Sequence, residues 1–115
     1  MQTTKKDFKR FRDEFNRWVQ ILGLNDYKIY FDHRRLDDVF ANIVIDERGK
    51  VATVTMTKEL SPVNAEVFFP EEHAKHEAIH LLLNKLFWLG TCRYVRDAEL
   101  QDEWERLVRV LEKAL

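Results

Sequence analysis

Only one cysteine, Cys92, occurs among the 115 residues, so no intrachain disulfide can form and a cysteine-built zinc site is excluded. Such a chain is expected in a reducing compartment, with the cytoplasm as the expected location. Glycine and proline are scarce as well, three and two residues, which excludes collagen-like and low-complexity chains. Neither sign of charge dominates. The 19 Lys and Arg against 20 Asp and Glu leave a net charge of -1, whereas a dedicated nucleic-acid binder usually carries a clear basic excess. The basic run Lys5, Lys6, Lys9, Arg10 and Arg12 therefore reads as the solvated face of a helix, and no nucleic acid is expected as a partner. No apolar stretch approaches the length of a membrane span. The start, Met1 to Lys6, runs into charge without the apolar centre of a signal peptide, so neither membrane nor export is expected.

What is present is a globular composition, 45% hydrophobic and 34% charged, of a size for one domain over 1–115. Phe8, Phe11, Phe15, Trp18, Val19 and Leu22 recur at spacings of three and four, the stripe of an amphipathic helix. Thr3 or Thr4 can cap its start, and Gly23 can stop it. Alternation then marks a strand with Tyr27, Ile29 and Phe31 on one face. A second strand, Val39 to Asp46, is apolar at nearly every position and is expected at the centre of the sheet. Asp46 to Lys50 holds a glycine suited to a hairpin turn. A third strand follows from Val51 to Thr57, with Ala52, Val54 and Met56 inward and Thr53, Thr55 and Thr57 outward. Residues 58 to 69 read as a loop. Pro70, Glu71 and Glu72 suit the first turn of a helix that ends at Gly90 in a left-handed cap. Asp97 is the expected N-cap of a last helix. The fold class is α+β: an N-terminal helix, a small three-stranded and mainly antiparallel sheet, then two helices.

The first of those two helices carries His76-Glu77-Ala78-Ile79-His80, an H-E-x-x-H pattern. Residues four apart lie one turn above each other on a helix, so both imidazoles can converge on one ion. Neutral imidazole nitrogens suit Zn²⁺, at about 2.0–2.1 Å. Glu77 is rotated about 100° from His76, beside the metal, where its carboxylate can take a proton from a metal-bound water. With four His and eleven Glu in the chain, shuffling produces the pattern in about one sequence in a hundred. The pattern also falls inside a capped helix, the context it requires. One zinc per chain is the expected cofactor, with His76 and His80 as ligands and Glu77 as the catalytic base.

No histidine follows His80, so a further protein ligand is expected to be acidic. Leu100, Trp104, Leu107, Val108, Leu111 and Leu115, widened by Val110, define the expected core face of the last helix. Glu103 falls between Leu107 and Val110 and points inward. A carboxylate aimed at the core needs a partner, and zinc, or else an Arg or Lys at the core margin, can supply one. Glu103 is thus favoured as the third ligand, with Glu99, one turn earlier, as the alternative. Asp102 and Glu105 point away. His73 shares the face of His76 and His80, but three ligands spread over seven residues of one straight helix cannot readily close on one ion, which leaves it a cleft-rim role. His33, at a strand end, reads as a surface histidine. Arg93 and Tyr94, in the last connection, are candidates to stabilise an oxyanion.

The HEAIH helix, the three strands before it and the acidic final helix resemble the zincin metallopeptidases in a minimal, glutamate-ligand form (gluzincin-like). The stretch from Trp18 to Thr57 and the ending Asp102 to Glu112 are similar to small phage-encoded proteins of metallopeptidase type. The resemblance covers nearly the whole chain, and its diagnostic part is HEAIH. It implies His76 and His80 as zinc ligands, Glu77 as general base and a downstream glutamate as third ligand. Glu99 has the eighteen-residue gap after His80 that many zincins show. It also implies a sheet edge strand above the active helix that binds extended substrate, for which Val51 to Thr57 is the candidate. The expected function is zinc-dependent hydrolysis of a peptide or amide bond in a peptide or protein substrate. Two alternatives are a non-enzymatic, zinc-stabilised interaction module of viral accessory type and a regulatory protease specific for one partner protein.

Overall fold

Thr4 opens the first helix, α1 (Lys5–Leu22), with a reciprocal cap: its Oγ1 accepts from the Asp7 amide at 3.0 Å, and Asp7 Oδ2 accepts from the Thr4 amide at 2.9 Å. Gly23, at φ 69°, closes the helix in the left-handed conformation that glycine adopts without a Cβ penalty. The structure, a computed structural model, describes residues 1–115. Phe11, Phe15, Val19 and Leu22 are buried along one side of α1, while Lys5, Lys6, Lys9, Arg10 and Arg12 are exposed on the other.

Three strands follow: β1 (Lys28–Arg34), β2 (Ala41–Asp46) and β3 (Val51–Thr57). Their order is β1-β3-β2, with β1 and β3 parallel and β2 and β3 antiparallel. The sheet is therefore mixed rather than mainly antiparallel, and the central strand is β3 rather than β2. The tight turn after β2 returns β3 antiparallel beside it. The link over residues 35–40 has already carried the chain past an empty strand position, so β3 fills the gap next to β1. The apolar run of β2 misleads because one of its faces stays open: Val44 is 67% exposed.

In β3 the expected inward set, Ala52, Val54 and Met56, is fully buried. Thr55 and Thr57, expected outward, are buried too. Thr57 can be buried because its hydroxyl is bonded, accepting from the Leu36 amide at 3.1 Å and donating to the Glu59 carbonyl at 2.9 Å. In the β2–β3 turn the positive φ belongs to Lys50, at 54°, and not to Gly49. At Gly49 a Cβ would come within 2.6 Å of Asp46 Oδ2, so a side chain there would displace the carboxylate that accepts from the Gly49 amide.

Within the expected loop, Ser61 caps a short helix, α2 (Pro62–Ala65). The long helix α3 (Pro70–Thr91) starts at Pro70 as the sequence predicts. It runs through Gly90 and stops at Cys92, which has extended backbone, so no left-handed cap forms at Gly90. The last helix, α4 (Asp97–Ala114), has Arg96 rather than Asp97 at its N-cap. No helix is long and apolar enough to cross a membrane.

α1 and α3 pack side by side on one face of the sheet. Phe11, Phe15 and Val19 meet Ala52, Val54 and Met56 of β3 and Ala74, Ala78, Leu81 and Leu82 of α3 in one core. The alanines of α3 let the two helices approach closely. Phe15 is fully buried and meets Phe31 edge-on at 5.5 Å. Phe15→Ala should therefore cost about 3–5 kcal/mol, read as a lower urea midpoint at unchanged slope. α4 touches the core through fewer residues than its apolar pattern suggests. Only Glu103 and Leu107 are buried, with Val110 and Ala114 half-buried behind them, and Trp104 is 66% exposed. The helix enters rotated from its apolar stripe, because only one narrow side of it faces α3 and α1.

Candidate metal centre

His76, Glu77 and His80 sit on the side of α3 that faces β2. Their nearest ligand atoms all lie within 4.8 Å of one another. The two imidazoles meet nearly edge-on, and their Nε2 atoms are 3.1 Å apart. Two nitrogens held at about 2.0–2.1 Å on a tetrahedral zinc would be separated by about 3.3 Å, close to the distance found. Glu77 is only 6% exposed, and its Oε2 is buried with no hydrogen-bond partner. Buried carboxylate oxygens are rarely left so without a role for an ion, water or proton. Burial raises the Glu77 pKa above the ordinary carboxylate range, and His80 and His76 pull against that shift. Two imidazole nitrogens with a carboxylate beside them fit zinc, and supply two of the three protein ligands usual at a catalytic zinc.

Two cavities open beside this group. One, of about 560 Å³, is lined by Ile43 and Ile45 of β2 and by Glu77, His80, Leu83 and Phe87 of α3, with Asn42 and Asn84. The other, of about 490 Å³, lies towards the start of α3 and is lined by Asp38, Val39, Phe40, Ala41, Glu72, His73, His76 and Glu77. The edge strand above the helix is thus β2, not the Val51 to Thr57 strand expected from the sequence. Being central, β3 has both of its backbone edges paired.

The β2 wall is tied down by a polar cluster that the sequence reading missed. Glu47, just past β2, is buried and accepts from the Tyr27 hydroxyl at 2.5 Å, the Asn84 amide at 3.0 Å and the Lys50 ammonium. Burial alone would raise the Glu47 pKa, but the bonds from Lys50, Tyr27 and Asn84 outweigh it and hold the pKa low. A carboxylate with a depressed folded-state pKa stabilises the protein above its unfolded value and loses that contribution as pH falls through the folded value. Metal-free protein should therefore weaken below about pH 4, the ordinary carboxylate range. Urea unfolding at several pH values should show that segment flattened in Glu47→Gln.

The other expected site residues lie elsewhere. Glu103 does point inward, at 3% exposed, but it is engaged by Arg106, which donates to both of its oxygens, one at 3.1 Å. Arg106 also donates to the Leu82 carbonyl at 3.4 Å. A separate small cavity brings Glu103 together with Glu99, Asp102, Lys85 and Leu89. α4 returns antiparallel to α3, so Glu103 comes level with the stretch beyond His80. The structure brings His76, Glu77 and His80 together and leaves Glu103 and Glu99 apart from them.

His73 lines the second cavity, as its rim position suggested. Its ring clusters with Phe40, at 4.1 Å, and Phe68, at 5.6 Å, which also stack on each other at 5.9 Å, and its Nε2 is buried without a partner. Burial pushes its pKa down. His33 is half-buried rather than free on the surface, stacked on Phe8 at 4.8 Å and hydrogen-bonded through Nε2 to Thr3 Oγ1 at 2.7 Å. Arg93 and Tyr94 are exposed, the guanidinium lying over the phenol ring at 5.4 Å, and line neither cavity.

No family model matches the chain, nor does any curated protein or solved structure. The reading of the centre stands on its residues and their geometry.

Proposed function

We propose that this protein is a zinc-dependent hydrolase of peptide or amide bonds, with His76 and His80 holding the metal and Glu77 moving the proton. One observation carries the reading: a buried carboxylate oxygen without a partner, beside two imidazole nitrogens 3.1 Å apart. Zinc, when bound, acidifies a water and polarises a carbonyl. Glu77 accepts the water's proton and afterwards delivers it to the departing nitrogen. Its burial keeps bulk water from competing for that proton. None of the ten ion pairs of the chain involves Glu77, and its Oε2 has no partner, so the carboxylate is free for this exchange. β2 supports a peptide substrate, because an edge strand offers unpaired backbone groups to an extended segment lying over the helix.

A second reading, a zinc-stabilised module that binds one partner, is favoured by the exposed row Trp104, Val108, Leu111 and Leu115 along α4. Hydrolysis of a broad peptide library by protein purified without a histidine tag, with and without zinc, tests the first reading. Zinc-dependent cleavage supports it, and bound zinc without cleavage moves the weight to the second.

Glu103 is engaged by Arg106 and lies apart from the two histidines, so it can serve as third ligand only if α4 shifts towards them. If it stays there, Glu103→Gln should leave zinc affinity near wild type and lower stability by roughly 1–3 kcal/mol, less than a fully buried pair because Arg106 is 38% exposed. Chelator competition checks this. A loss of zinc affinity of tenfold or more would assign Glu103 to the metal.

A further inference from the structure

The two cavities beside the centre differ in chemistry, and Glu77 lines both. Beyond His80 the lining is largely Ile43, Ile45, Leu83 and Phe87, while beyond His76 it holds three carboxylates, Asp38, Glu72 and Glu77, and no Lys or Arg. Asp38 and Glu72 are exposed and neither enters a salt bridge, although ten ion pairs form elsewhere on the chain. Two buried atoms on this side lack partners, Glu77 Oε2 and His73 Nε2. Asp38 is held in a left-handed backbone, φ 58°, in the link between β1 and β2, which sets it across the cavity from the first turn of α3.

We infer that the cavity lined by Asp38, Glu72, His73 and Glu77 receives a cationic group of the bound peptide, an N-terminal ammonium or a Lys or Arg side chain. This rests on the proposed hydrolase reading in taking the cation as part of the chain whose bond Glu77 serves. An ammonium or guanidinium carries several N–H donors and no acceptor, the complement of a lining whose unpaired groups are mainly acceptors. The two free carboxylates supply opposite charge, and the half-enclosed site reduces screening. The cleft so read has a direction, with a cation towards the start of α3 and apolar side chains towards its end.

Full-length wild-type protein stripped of zinc, which should not turn substrate over, is titrated calorimetrically with short synthetic peptides. One pair differs only in a free or acetylated N-terminus and contains no Lys or Arg. The other pair is acetylated and differs only in Lys against norleucine. The charged member of at least one pair should bind about tenfold tighter, as expected for one or two partly screened ion pairs. Which pair responds identifies the source of the cation. Adding Asp38→Asn and Glu72→Gln, both at exposed positions that leave the core intact, should abolish that preference. Equal affinity within both pairs, a preference that survives the two substitutions, or no binding by any peptide overturns the inference. Charge-selective binding alongside a wild type that cleaves nothing would uphold the cation site and remove the hydrolase reading.

Discussion

Glu77→Gln should retain one zinc per chain and lose hydrolysis by about 10²–10⁴-fold, the range a positioned general base contributes. The amide keeps the size and one acceptor of the carboxylate but has no site of comparable basicity to take a proton. The substitution should not cost stability, because the side chain makes no hydrogen bond on Oε2 to lose. An amide in place of a buried carboxylate also removes the cost of burying a charge, so metal-free protein should unfold at an equal or higher urea concentration. Rates on the best peptide from a library, zinc content by elemental analysis and urea midpoints are measured together. Loss of metal in parallel with activity would make Glu77 a support of the site and not its base.

His76→Ala and His80→Ala should each weaken zinc binding by more than about 100-fold, beyond the roughly 10–100-fold that follows loss of a ligand's hydrogen-bond partner. Either change leaves a single imidazole next to Glu77, too few donors to hold the ion. Both rings are exposed and share only the contact between their Nε2 atoms, so metal-free stability should change little. Zinc at a hundred times its dissociation constant should stabilise the wild type by about 2.7 kcal/mol and neither variant. Thermal melts with and without zinc provide that comparison. If both variants keep a full complement of metal, the ion sits elsewhere and the proposed chemistry falls with it.

Much of this architecture was legible before any coordinates. The cap at Thr4, the stop at Gly23 and the start at Pro70 are decided by groups within four residues of each other. So is the pairing of His76 with His80, which the pitch of one helix turn imposes. The inward turn of Glu103 also follows from local spacing along α4. So does its partner, since Arg106 is one turn away on the same helix and is the Arg or Lys at the core margin that stood as the alternative to zinc. Gly90 looked like a terminator, yet a helix still packed against its neighbours runs through it.

The strand order is of another kind. Apolar content alone could not separate β2, with one face open at Val44, from β3, whose Thr57 is buried with its hydroxyl bonded to Leu36 and Glu59. By itself the sequence determined the three long helices, the three strands and the grouping of His76, Glu77 and His80, since each depends on neighbours a few positions apart. The tertiary structure alone decided that β2 borders the centre, that Asp38 comes to share a cavity with His76 and that Glu47 ties Tyr27 to Asn84. Those meetings join residues tens of positions apart, and only the packing of α1 and α3 on one sheet face selects them.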